Sequence, residues 1–149
     1  MSHESRMRVV THGAIVLLVG LLCGIPTVPE EEPMRLWHTA HESLILIGIL
    51  LFAVSSVMPV LVLEKREARA LVWSLLGTGY GLMTGLILQA VTGRHAFGPS
   101  ASPVLMIAFI GSTIGMLGSV LTASLTLIGA RAATVAHRQH LATSHHSVS

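Results

Sequence analysis

The sequence predicts an all-α integral membrane protein, four transmembrane helices in an up-down-up-down bundle. Three observations predict it. The 149-residue chain is 52% hydrophobic and only 11% charged, with a strongly positive mean hydropathy, so a soluble domain of this size would lack the charge to cover its surface. Uncharged runs close to the roughly 20 residues that span a bilayer recur four times. The breaks between them are short and rich in charge, proline and glycine, which leaves consecutive helices no choice but to lie antiparallel in one compact domain, residues 1–130.

The first span runs from about Val9 to Val28 and contains "HGAIVLLVGLLCGIPTV". Arg6 and Arg8 precede it in the manner of a signal peptide, but no small-residue cleavage site follows and the flank is "PEEEP", so it reads as a retained span. Cys23, the chain's one cysteine, lies inside it and excludes an intrachain disulfide. The second span covers Leu44–Leu63. Pro59 removes a helix hydrogen bond and is expected to bend it beside Ser55 and Ser56, whose hydroxyls can recover the freed backbone groups. "EKREAR" separates it from the third span, about Ala70–Val91, where Tyr80 and Gln89 are the notable polar side chains.

The fourth span, Pro103 to about Ala130, follows "TGRHAFGPSASP". Gly77, Gly81 and Gly85 form a four-residue stripe in span three, and Gly111, Gly115, Ser119 and Ala123 repeat it in span four. Small residues at this spacing let helix backbones approach closely in lipid; a groove that admits a flat ligand is the other reading. Trp37 and Trp73, near span ends, read as interfacial anchors. Residues 131–149 form a polar tail with His137, His140, His145 and His146, expected to be disordered rather than a metal site.

Lysine and arginine set the orientation. Seven of the nine (Arg6, Arg8, Lys65, Arg66, Arg69, Arg131 and Arg138) fall on the side shared by both termini and the middle loop, against Arg35 and Arg94 on the other. That asymmetry predicts both termini in the cytoplasm. The same scatter around apolar runs argues against a nucleic-acid partner despite the pI of 9.3.

The chemistry rests on histidine. The chain has no aspartate, no phosphate-binding glycine loop and no nucleophilic triad. It shows no internal repeat of the transporter kind and no ionisable group at mid-span. In "LWHTAHESLILIG", residues 36–48, His38 and His41 stand i, i+3 at a helix entrance beside Glu42. Too few further ligands surround them for a zinc or di-iron site. A single histidine suffices for haem iron, because the porphyrin supplies four nitrogens. His41 and His95 lie toward the same end and could share one haem, whereas His12 lies at the opposite end. The alternative for all of these histidines, that they are hydrogen-bonded interface residues, stays open on the residues alone.

Several short motifs, in similar order and spacing, resemble the styrene oxide isomerase family of small four-span bacterial membrane proteins. They are "HG" at His12-Gly13; Trp37 followed by "AH" at Ala40-His41; Gly48; Pro59; "AR" at Ala68-Arg69; and "FGP" at Phe97–Pro99. The resemblance reaches to about Ala130. It implies a homotrimer in the bacterial inner membrane that binds haem b, with His41 as the axial iron ligand. Glu42, Ser43 or a backbone carbonyl could then orient the imidazole, and Trp37, Gly48, Gly77, Gly81 and Gly85 are candidate pocket residues. It also implies Lewis-acid isomerisation of a small hydrophobic aryl epoxide: ring opening towards a benzylic cation, then a 1,2-hydride shift to an aldehyde.

Two positions depart from the family. Its asparagine, six residues after the ligand histidine, is Ile47 here, and its span-three tyrosine falls around Thr84–Leu86, leaving Tyr80, earlier in the same span, as the candidate. The alternatives are a haem protein of other chemistry (redox, sensing, or a different rearrangement) and a non-enzymatic four-span structural protein.

Overall fold

The computed structural model describes residues 3–25 and 31–146, with side chains as far as Gln139. It contains four helices: α1 (His3–Cys23), α2 (Glu31–Val57), α3 (Lys65–Thr92) and α4 (Pro103–His146). All four are long and apolar enough to cross a membrane, and among the described residues there is no strand. Val28, the expected end of span one, and most of the "IPTVPEEEP" connection lie outside the described residues.

Glycines set how closely the helices pair. On α1, Gly13 lies against Leu51 and Gly20 against Leu44 and the Ile45 backbone, while Gly48 of α2 receives Leu17. Rising numbers on one helix meet falling numbers on the other, so α1 and α2 are antiparallel. The α3–α4 pair follows the same rule: a Cβ on Gly81 would lie 2.7 Å from the Gly111 carbonyl and 2.7 Å from Gly115 N, and one on Gly85 would run into Ser112. Gly118 meets Ser74 and Thr78 one turn further along, beside a buried hydroxyl pair, Ser74 Oγ to Thr122 Oγ1 at 2.8 Å. Leucines and valines fill the space among α1, α2 and α3, with Val9, Val16, Leu44, Leu51, Leu71 and Leu75 fully enclosed.

Gly81→Leu is expected to unfold the protein at lower denaturant, by more than the ~1–3 kcal/mol typical of overpacking, because the obstacle is backbone. Gly77→Ala on the same stripe meets only Ile114 Cγ2 at 3.8 Å and should hold stability or raise it by up to about 1 kcal/mol. Unfolding in mixed detergent micelles compares the two directly.

The helix ends differ from the expected span limits, each for a local reason. α2 begins at Glu31 rather than Leu44; Pro33 sits in its first turn, where no intrahelical N–H is needed. Pro59 stops the helix instead of bending it: α2 ends at Val57, and Met58–Val60 form a single 3₁₀ turn. The Ser55 and Ser56 hydroxyls donate to the Phe52 and Ala53 carbonyls, both at 2.7 Å.

Most of "EKREAR" is already helix, opened by the Glu64 N–H donating to the Glu67 carboxylate at 2.9 Å. α3 closes on Gly93, whose φ of 62° is left-handed and suits glycine; the Arg94 N–H returns to the Gln89 carbonyl. The segment from Arg131, expected to be disordered, continues α4 as a helix to His146. Gly129 is level with the α2–α3 connection, where its carbonyl accepts from Val62 N–H, so α4 extends about 25 Å beyond it at 1.5 Å per residue.

Candidate site at His41

The C-terminus of α1 shapes the site. A helix leaves its last four carbonyls without intrahelical partners. Gly24 N–H turns back to the Leu21 carbonyl, 3.2 Å, in a tightened last turn. His41 of α2 reaches the Gly20 carbonyl in that turn: its Nδ1 lies 2.9 Å from Gly20 O. A carbonyl only accepts, so Nδ1 carries the proton and donates. The neutral imidazole then has its lone pair on Nε2, the arrangement in which a histidine binds a metal while a backbone oxygen fixes its orientation.

Two absent side chains make this contact. Gly20 lets the Leu44–Ile45 backbone come within 2.9 Å of where its Cβ would be, which brings the ring into reach of the carbonyl. Gly24 leaves room for the ring itself, since a Cβ there would lie 2.6 Å from Nδ1 and 2.8 Å from Cε1 of His41. The glycine repeat on α1 went unread in the sequence; a Gly20–Gly24 spacing of four, matching the stripes in spans three and four, was the available signal.

The remaining candidates scatter. His38 is exposed and Glu42 is exposed, while His41 is half-buried against α1, so the i, i+3 pair does not form one site. Trp37, one helical turn before His41 on the same face, packs half-buried against the core, whereas Trp73 is 68% exposed. His95 is exposed and stacks on Phe97, centroids 4.8 Å apart; its recorded partner is that ring, and His41's is the Gly20 carbonyl.

Ile47 is buried in the core. Thr84 lines a groove between α3 and α4, Gly85 is closed by Ser112, and Leu86 packs on the core. Gly48 is filled by Leu17. Among the described residues no group of three histidine, cysteine or acidic side chains could hold a metal ion; His140, His145 and His146 have no described side chains.

Tyr80 lies halfway along α3 and meets α1 about two helical turns before Gly20. Its hydroxyl lies 2.7 Å from His12 Nδ1, the two rings edge-on at 5.5 Å. Together they form part of the wall of a cavity of about 940 Å³ between α1 and α3.

The family model described as styrene oxide isomerase matches residues 5–133. No match is found among curated proteins or among solved structures. The matched region takes in all of α2 and α3, most of α1, His41 with both of its glycines, and α4 to beyond Gly129, and the chain therefore belongs to the styrene oxide isomerase family.

Proposed function

We propose that this chain is a haem b-binding membrane isomerase that converts a small lipophilic epoxide, an aryl epoxide above all, to an aldehyde. Family membership supports the reaction class. The bond from His41 Nδ1 to the Gly20 carbonyl is the single observation that supports the cofactor: haem iron takes one neutral imidazole nitrogen from the protein, and His41 offers Nε2 in that state. When bound, ferric haem supplies a Lewis acid that polarises the epoxide C–O bond.

The chain's own residues bind, orient and exclude water. His41 holds the group, Gly20 fixes the ring, and Gly24 keeps its position free. Cys23, next to Gly24, and Leu44, packed on Gly20, are buried and apolar; they would help keep water from the reacting carbon, which favours hydride migration over diol formation. Neither of the two cavities described is lined by His41. In this reading neighbouring copies in a homotrimer would complete the enclosure of the group that His41 would hold, and the charge asymmetry supports both termini in the cytoplasm beneath a bacterial inner membrane.

One observation favours a second reading. Ile47 is buried where the family has an asparagine, and Tyr80 is engaged with His12, so two polar groups that would position substrate are missing beside His41. Pocket polarity decides between binding, activation and electron transfer at haem, and a haem protein of other chemistry fits that loss. The test is an absorption spectrum of detergent-purified protein followed by an aryl-epoxide panel assayed for aldehyde. A Soret band with aldehyde formation is expected. A Soret band without turnover transfers the reading to other haem chemistry, and colourless protein after expression with ample haem overturns both.

A further inference from the structure

The cavity between α1 and α3 is not lined by His41. Its rim carries three cations, Arg8, Lys65 and Arg69, and its wall holds Ser5, His12 and Tyr80 among apolar side chains, with no carboxylate lining it. Arg8 pairs with Glu4, both well exposed. Lys65 and Arg69 have no ion-pair partner among the described residues, and the nearby Glu67 carboxylate accepts from the Glu64 N–H.

The cavity does not end blindly. Gly77 and Tyr80 also line the apolar groove of about 380 Å³ that continues between α3 and α4 past Gly81, Thr84, Ile110 and Ile114. From Gly77 to Thr84 that groove follows α3 for about 10 Å. Gly77 keeps the junction open, because a Cβ there would meet only Ile114 Cγ2 at 3.8 Å. Trp73, two-thirds exposed, stands among the lining residues.

Three unneutralised or exposed cations at the terminal level of the spans, opening into an apolar channel toward their middle, match one ligand shape: an anionic head with an apolar chain. We infer that this site binds one anionic phospholipid, its phosphate between Arg8, Lys65 and Arg69 and an acyl chain in the α3–α4 groove. A cationic side chain near an anionic membrane surface contributes about 1 kcal/mol, which corresponds to about a five-fold change in lipid affinity for each cation removed.

The chain has two tryptophans, so full-length Trp37→Phe protein reports from Trp73 alone. Reconstituted into phosphatidylcholine vesicles, it is titrated with brominated-chain phosphatidylglycerol or brominated-chain phosphatidylcholine. Quenching is expected at a several-fold lower fraction of the anionic lipid. Each of Arg8→Gln, Lys65→Gln and Arg69→Gln should weaken that preference about five-fold, and the triple variant should abolish it. Gly77→Val, which plugs the junction, should reduce quenching by both lipids.

Arg66→Gln/Arg131→Gln removes charge from the same end outside the cavity and should weaken the preference far less than the cavity substitutions. Equal quenching by the two lipids overturns the inference, as does an equal loss in that control, which would mean general surface attraction. Displacement by inorganic phosphate alone, assigning the cations to a free anion, overturns it too. The experiment needs no haem and is independent of His41.

Discussion

His41→Ala is expected to remove the Soret band from the purified protein, lowering haem retention by more than about 100-fold. The bound is set by comparison: losing an outer partner of a metal ligand costs about 10–100-fold, and this substitution removes the ligand itself. Free imidazole restores the band if the ligand alone is missing. His38→Ala and His95→Ala separate the alternatives: His38 is exposed and should be silent, while a band shifted in His95→Ala would establish two-histidine ligation and move the protein toward redox chemistry.

The fold was legible because lipid permits few solutions. Backbone polar groups must pair within a span, so the apolar runs had to be helices, and the Gly81–Gly115 contact follows from stripes visible in either span alone. Helix ends were less legible. Hydropathy marks where a helix enters hydrocarbon and is silent about polar turns such as those from Glu31 and Lys65, which caps and a tolerated first-turn proline decide. The polar composition after Arg131 likewise gave no sign that α4 would run on.

For the site, His41 could be singled out, but its partner could not. Gly20 is 21 residues away, and which α1 carbonyl faces which α2 side chain depends on the rotation and register of one helix on the other. Periodicity within either helix does not contain that information. The same limit explains Tyr80, whose partner His12 is 68 residues distant; read along α3 it looked like a displaced substrate residue, and only the packing of α1 on α3 pairs it with His12.

Gly24→Ala is the sharper probe, because its effects on folding and on haem are expected to run in opposite directions. Gly24 lies just past the end of α1, is exposed, and has no positive φ. An alanine fits that backbone, and reducing the freedom of the unfolded chain at such a position stabilises by about 0.4–1 kcal/mol. The new methyl, however, would lie 2.6 Å from His41 Nδ1, a separation no real contact sustains, so the imidazole must turn away from the Gly20 carbonyl. Its tautomer and aim are then unfixed, and haem affinity should fall about 10–100-fold while thermal stability holds or rises.

Gly20→Ala supplies the contrast. Its Cβ would meet Leu44 Cβ and the Ile45 backbone at 2.9 Å, prising α1 from α2, so stability and haem should fall together. Soret titrations and melting curves on the two variants distinguish an oriented ligand from a histidine that merely packs: if Gly24→Ala binds haem as tightly as the parent, the Gly20 carbonyl does not set the ring, and the support for His41 as the axial ligand is lost.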